Sequence, residues 1–189
     1  GGWWDPHLLG ILDLYKQSTK AGGKPELHIG PATHLQWWQG VQQLQLNFFN
    51  LHLKNSLQTE NKKPFLRLWN LTTKKWQERS ITHRFSNTQT TSWGLSSKGL
   101  ACLDQKDGKL LLNSNGNGIV YLVHDPWRPV PAIGGHLSPR PGTAERGELD
   151  LRSDVATFTS HQLTEILHLE GIPSLEMEVA ADQEGFDLC

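Results

Sequence analysis

Short apolar runs alternate with segments of helical period over the first 70 residues of the chain. Apolar side chains recur at helical spacing over residues 8–15 and again over residues 38–55. Apolar runs typical of buried strands occupy residues 26–30 and 64–69, and a further strand end precedes Asp5. Strands that are separated by helices form parallel sheets covered by those helices. The first part of the chain is therefore predicted to be α/β.

A carboxylate and an imidazole follow two of these predicted strands. Asp5 comes directly after the first strand end, and His34 follows the strand that Gly30-Pro31 is expected to terminate. In open α/β folds the carboxyl ends of the strands meet at the edge where ligands bind. Asp5 and His34 are therefore candidates for the acid and the base of a catalytic triad. Taken singly, each has a plainer interpretation, a helix cap before Pro6 and a loop histidine.

The third member of such a triad, a serine on a nucleophile elbow, is missing from the sequence. No Gly-Xaa-Ser-Xaa-Gly run occurs, and the nearest stretch, residues 94–99, has the wrong spacing. The α/β-hydrolases carry their triad in the order nucleophile, acid, histidine, which places a serine upstream of Gly1. The chain also begins without a methionine. We therefore expect a fragment that is inactive alone and whose nucleophile comes from an upstream segment.

The second half of the chain has a different sequence pattern, with short β-prone runs and hairpin turns. Turn dipeptides such as Asp107-Gly108 separate the runs, and strands are expected at residues 119–123, 155–159 and 175–179. This pattern predicts an all-β sandwich or jelly roll. The chain is accordingly divided into residues 1–86, the α/β part, and residues 87–189, a truncated all-β domain.

The net charge and the cysteines indicate which binding partners and which cellular compartment to expect. The net charge is −1, so nucleic acid and anionic membrane surfaces are not expected as partners. No apolar run approaches the 18 or so residues that span a bilayer. Cys102 and Cys189 fit no zinc or redox spacing, which favours a reducing, cytoplasmic location, although secretion is not excluded. The nine histidines form no metal-binding motif, so neither a metal nor a cofactor is expected.

The motifs around Asp5 and His34 resemble a known family of serine hydrolases. Gly2-Trp3-Trp4-Asp5 is similar to the Gly-Trp-Tyr-Asp acid motif of the cocaine esterase and X-Pro dipeptidyl-peptidase family, which includes glutaryl-cephalosporin acylases. The run from Ile29 to His34 is similar to its Gly-Pro-Trp-Xaa-His motif. Further similarity extends over residues 48–54, 64–68, 121–126, 129–135 and 154–160.

The resemblance implies acyl transfer to water from an ester, an acyl amide or an X-Pro peptide. A serine would attack the carbonyl, His34 would move the proton, and Asp5 would orient the imidazole. His7 and Leu188 match positions that line the substrate pocket in relatives. The all-β half would be the family's galactose-binding-like jelly roll. A small ester, amide or short peptide is the expected partner, and a homo-oligomer is possible.

A second class of function stays open on the sequence alone. The chain could be a non-catalytic β-sandwich that binds a partner, or a pseudoenzyme, because a fold does not by itself imply an activity. An upstream serine elbow would distinguish the two classes.

Overall fold

The computed structural model describes residues 1–54, 65–80, 90–186 and 188. The predicted domain boundary at residues 86 and 87, the predicted helix end at Asn55, and Cys189 lie outside these residues. The described elements are two helices and six strands in two sheets. In chain order they are β1 (Gly2–Trp4), α1 (Leu8–Lys20), β2 (Glu26–Thr33), α2 (Val41–Leu53), β3 (Phe65–Asn70), β4 (Lys75–Ser80), β5 (Trp93–Ser96) and β6 (Lys109–Leu112).

The first four strands form one mixed sheet in the order β1-β2-β3-β4. The β1/β2 and β2/β3 pairs are parallel, and α1 and α2 make the two crossovers, as the alternation of strand and helix predicts. The β3/β4 pair is an antiparallel hairpin whose register runs from Phe65 opposite Ser80 to Asn70 opposite Lys75. Strand β4 was not predicted, because Lys75, Gln77 and Arg79 give it a polar composition.

Strand β2 is longer than the sequence suggests. Gly30-Pro31 was expected to end it, and that expectation is wrong, because β2 continues to Thr33. Proline is tolerated where its missing N–H is not needed by a neighbouring strand. At Gly30 a Cβ atom would overlap the indole of Trp38, so this glycine lets the ring lie against the strand. The strand therefore continues to Thr33, the residue before His34, and its pairing with β1 shifts register between Gly2 and Trp4.

The two helices begin and end close to their predicted positions. Helix α1 ends before Gly22, whose φ of 85° places it in the left-handed region. Its N-cap is His7 rather than Asp5, although the Asp5 side chain still accepts a hydrogen bond from the His7 N–H at 2.9 Å. Neither helix contains a fully buried residue. Within the described residues, no helix is long and apolar enough to cross a membrane.

The second sheet is a two-stranded antiparallel pair, β5/β6, with Trp93 opposite Leu112 and Ser96 opposite Lys109. Isolated bridges extend it, from Ser96 to Asn117 and from Lys109 to Thr159. The strands expected at residues 119–123, 155–159 and 175–179, all within the described part of the chain, are not formed as strands. A strand needs a partner edge as well as β propensity, and only Thr159 reaches one here.

The buried apolar side chains form two groups. Leu27, Ile29 and Ala32 are the buried apolar residues of β2, at the centre of the first sheet. Ala101, Cys102 and Leu149 are buried in the second half of the chain. The described fold is thus rich in strands, with two helices. Strand β2, which leads to His34, carries the buried apolar residues of the first sheet.

Candidate functional site

Strands β1 and β2 bring Asp5 and His34 together at one edge of the sheet. The two strands are parallel, with Gly2 opposite Gly30 and Trp4 opposite Thr33. The next residue along each strand is therefore the candidate acid and the candidate base. Asp5 Oδ1 lies 3.4 Å from His34 Nδ1, within ion-pair distance. The sequence placed both residues behind strands, and the parallel register places them side by side.

The Asp5 carboxylate is fixed by its own backbone surroundings. Its residue is only 5% exposed, the one charged residue among the buried ones in the described chain. A buried carboxylate is costly unless it is hydrogen-bonded or paired. Oδ1 accepts the His7 N–H at 2.9 Å, while the Asp5 N–H donates to Gly2 O at 3.2 Å. Asp5 O in turn accepts the Leu8 N–H at 3.0 Å at the start of α1. These bonds hold the carboxylate facing His34.

His34 lies in a tight turn that ends β2. The Thr33 N–H donates to Gln36 O at 2.9 Å, and the Thr33 hydroxyl oxygen accepts the N–H groups of Leu35 and Gln36 at 3.2 and 3.0 Å. This local bonding is typical of a Ser/Thr turn and orients the backbone at His34. The His34 side chain is 57% exposed, whereas that of Asp5 is 4% exposed. The site thus has a rigid, buried acid and an accessible imidazole.

His7 joins the pair as a third polar side chain. Its ring centroid lies 4.8 Å from that of His34, with the two rings at 62° to each other. Potential ligand atoms of Asp5, His7 and His34 all lie within 4.8 Å of one another. His7 was predicted as a pocket residue, but this three-residue cluster was not predicted, because the three positions converge only through the pairing of β1 and β2. The one sequence signal for this cluster is that His7 follows Asp5 by two residues.

Leu188, the other proposed pocket residue, is described but is not part of this cluster. Its side chain is 60% exposed. Its contribution to a substrate pocket stays a prediction.

A second polar site lies in the other half of the chain. A groove is lined by His124, Asp125, Arg128, Arg152 and Asp154 together with neighbouring residues. The Arg152 and Asp154 side chains pair at 2.6 Å, and those of Arg128 and Asp125 at 2.8 Å. The Arg152 guanidinium lowers the pKa of Asp154, and the Arg128 hydrogen bond lowers the pKa of Asp125. Because these charges neutralise one another, the groove is better explained as a structural network than as a site for a charged ligand.

His28 on β2 is a half-buried imidazole behind the site. Burial lowers its pKa, Glu26 opposes this, and the nearby charge of Arg67 lowers the pKa further. Its Nε2 lies 3.6 Å from Glu26 Oε2, and its buried Nδ1 has no hydrogen-bond partner among the described residues. The folded chain therefore prefers the neutral form of His28.

This preference makes stability depend on pH. A histidine whose pKa is lower in the folded state lets the unfolded state bind protons first, so stability is complete above about pH 6.5 and falls as the pH drops through the lowered pKa. His28→Gln is expected to reduce the loss of unfolding free energy on acidification, and His161→Gln, at an exposed position outside the helices and strands, is the matched control and is expected to keep the parent's acid dependence. Urea unfolding across a pH series measures this. An unchanged acid dependence in His28→Gln would contradict the assignment.

The fold and the site define a strand-rich protein with an acid and histidine pair at the carboxyl edge of two parallel strands. Residues 59–189 match the model of the X-Pro dipeptidyl-peptidase C-terminal non-catalytic domain, and because this covers more than half of the chain, the chain belongs to that family. The resemblance to X-Pro dipeptidyl-peptidases is thereby confirmed. No curated protein matches the chain. Asp5, His7 and His34 precede the matched residues, so the family match does not bear on their roles.

Proposed function

We propose that this chain is the carboxyl-terminal part of a serine hydrolase in which Asp5 and His34 are the acid and the base of the catalytic triad. A serine from an upstream segment would be the nucleophile, and the substrate would be an ester, an acyl amide or an X-Pro peptide. The observation that supports this best is the 3.4 Å approach of Asp5 Oδ1 to His34 Nδ1 at the edge of a parallel sheet.

The geometry of the pair suits the chemistry of acyl transfer. With Nδ1 towards Asp5, the proton of a neutral His34 is held on that nitrogen, and Nε2 is left as the acceptor for a serine proton. The carboxylate also stabilises the imidazolium that forms when the serine attacks. His34 would later deliver the proton to the leaving group. The exposure of its ring leaves room for a serine and a substrate to approach.

The exposed helix surfaces support the proposal that more of the sheet is supplied by another segment. Leu9 and Leu14 on α1 and Leu46 and Phe49 on α2 are each more than half exposed. Large apolar side chains clustered on a surface favour contact with further protein. In an α/β-hydrolase, helices of this kind cover a sheet that continues beyond the strands described here.

For the second half we propose the jelly roll that borders the substrate pocket, with residues 87–189 as this domain and residues 1–86 as the hydrolase part. The antiparallel β5/β6 pair and the bridge from Lys109 to Thr159 are consistent with a β-sandwich core. Family membership over residues 59–189 supports a non-catalytic domain in this half, and because the match begins at residue 59 it does not bear on a boundary between residues 86 and 87.

A second candidate function is favoured by the family description itself. The matched domain is described as non-catalytic, and it covers the larger part of the chain. The chain would then act as a binding or structural module, or as a pseudoenzyme with a preserved acid and histidine pair.

A fluorophosphonate probe distinguishes the two functions, because it labels only an activated serine. The full-length protein is expected to be labelled, and His34→Ala is expected to abolish labelling since the serine then lacks its base. His161→Ala, an exposed histidine outside the cluster, is the matched control and is expected to be labelled normally. A folded full-length protein that is not labelled would overturn the hydrolase and leave the non-catalytic module.

The substrate class follows from turnover of the full-length protein on three compounds. An Ala-Pro anilide, a short-chain ester and a glutaryl amide represent the peptidase, esterase and acylase alternatives. The compound with the highest kcat/KM identifies the class, because discrimination between substrates is measured by that ratio.

A further inference from the structure

Two imidazoles and one carboxylate converge at the edge of the first sheet. We propose that Asp5, His7 and His34 together form a binding site for a divalent transition-metal ion such as Zn²⁺. Their ligand atoms lie within 4.8 Å of one another. Two histidines and one carboxylate are a ligand set that zinc uses in sites with an open coordination position. No metal was expected from the sequence, because the ligands come from two separate strand ends and follow no linear metal motif.

The distances require only a small adjustment. Zinc bonds of about 2.0–2.1 Å in tetrahedral geometry place neighbouring ligand atoms about 3.3 Å apart. Asp5 Oδ1 and His34 Nδ1 are already at 3.4 Å. The remaining contraction involves His7, which is exposed and lies at the N-cap of α1, so its ring can rotate without disturbing packed neighbours.

The three side chains differ in burial, and this difference suits them to bind an ion. Asp5 is a buried anion whose orientation is fixed by the His7 N–H, so it is a preorganised anchor for a cation. His7 and His34 are both exposed, and they face each other at 4.8 Å between ring centroids. Their exposure gives the ion a path from solvent and leaves a coordination position for water.

Metal binding would have a consequence for catalysis, and this consequence rests on the proposed hydrolase function. An ion bound by Asp5 and His34 occupies the groups that the triad needs, so the metal form and the active form exclude each other. Zn²⁺ would then inhibit the full-length enzyme, and a chelator would restore its activity. His7 would determine this sensitivity, since it is the ligand that the proposed triad does not use.

Titration of the full-length protein with Zn²⁺ by calorimetry, and with Co²⁺ by visible absorption, tests the site without any need for activity. A single ion per chain is expected to bind, with the absorption of a Co²⁺ ion bound to nitrogen and oxygen. Loss of a direct ligand in His7→Gln is expected to weaken affinity by at least the roughly 10- to 100-fold that loss of an outer-shell partner costs. His161→Gln is the matched control and is expected to bind normally. Circular dichroism confirms that each variant is folded.

Absence of stoichiometric binding by the folded chain would overturn the proposal, as would unchanged affinity in both His7→Gln and His34→Gln. Equal loss of affinity in His161→Gln would place the ion elsewhere and would also overturn it. If this test fails, the proposal of a catalytic triad still stands, because fluorophosphonate labelling needs no metal. Failure of labelling likewise leaves the metal site untouched, because calorimetry needs no serine.

Discussion

Replacing Asp5 with Asn in the full-length protein is expected to lower kcat about 10⁴-fold, the loss that the same exchange causes in a serine protease. The amide can still accept the His7 N–H, so the turn before α1 is retained. It cannot hold His34 in the tautomer that accepts the serine proton, and it cannot stabilise the imidazolium. The effect is therefore expected in kcat, measured on whichever of the three test substrates is turned over fastest.

Asp13→Asn is the matched control for this exchange. Asp13 lies on the exposed face of α1, where it pairs with Lys16 at 3.8 Å, and such surface pairs contribute little. Its kcat is expected to be unchanged. If Asp5→Asn were folded and lost less than about tenfold in kcat, a positioning role of the kind known from the triad would be contradicted.

Gly108→Ala is expected to destabilise the second half of the chain. Gly108 directly precedes β6, and a Cβ atom there would overlap the Thr157 carbonyl oxygen and lie 3.2 Å from the Ala101 Cβ. The Thr159 N–H donates to Gly108 O at 3.1 Å, so the two segments cannot separate without losing this bond. Overpacking of this kind costs about 1–3 kcal/mol, which thermal unfolding would show as a lower Tm.

Gly147→Ala provides the comparison for Gly108→Ala. A Cβ atom at Gly147 would meet no atom within 4 Å, and its φ is not in the left-handed region. Its Tm is expected to stay within a degree or so of the parent value or to rise slightly, because alanine restricts the unfolded chain. Equal Tm values for the two variants would show that the contact between Gly108 and Thr157 does not limit stability.

The first half of the fold was largely predictable, because its patterns are local. The apolar alternation of Leu27 and Ile29 predicts β2, and the helical period after Pro6 predicts α1. The extension of β2 through Gly30-Pro31 was not predictable, since it depends on Trp38 packing over the glycine and on β1 continuing the pairing.

In both halves of the chain, strands that depend on distant partners were predicted less well, for the opposite reason. Residues 119–123 have high β propensity but are not a strand, while the polar Lys75–Ser80 segment is one, because β3 offers it an edge. Hydrogen-bond partners of strands are distant in sequence, and short-range composition does not reveal them.

The sequence by itself determined that an aspartate and a histidine would each follow a strand, because strand ends and turn residues are marked by neighbours in the chain. Only the tertiary structure decided that Asp5 and His34 lie 3.4 Å apart, that the carboxylate is buried, and that His7 completes a three-ligand cluster. These features depend on the parallel register of β1 and β2, which hydrogen bonds between separate segments fix and which local composition does not encode.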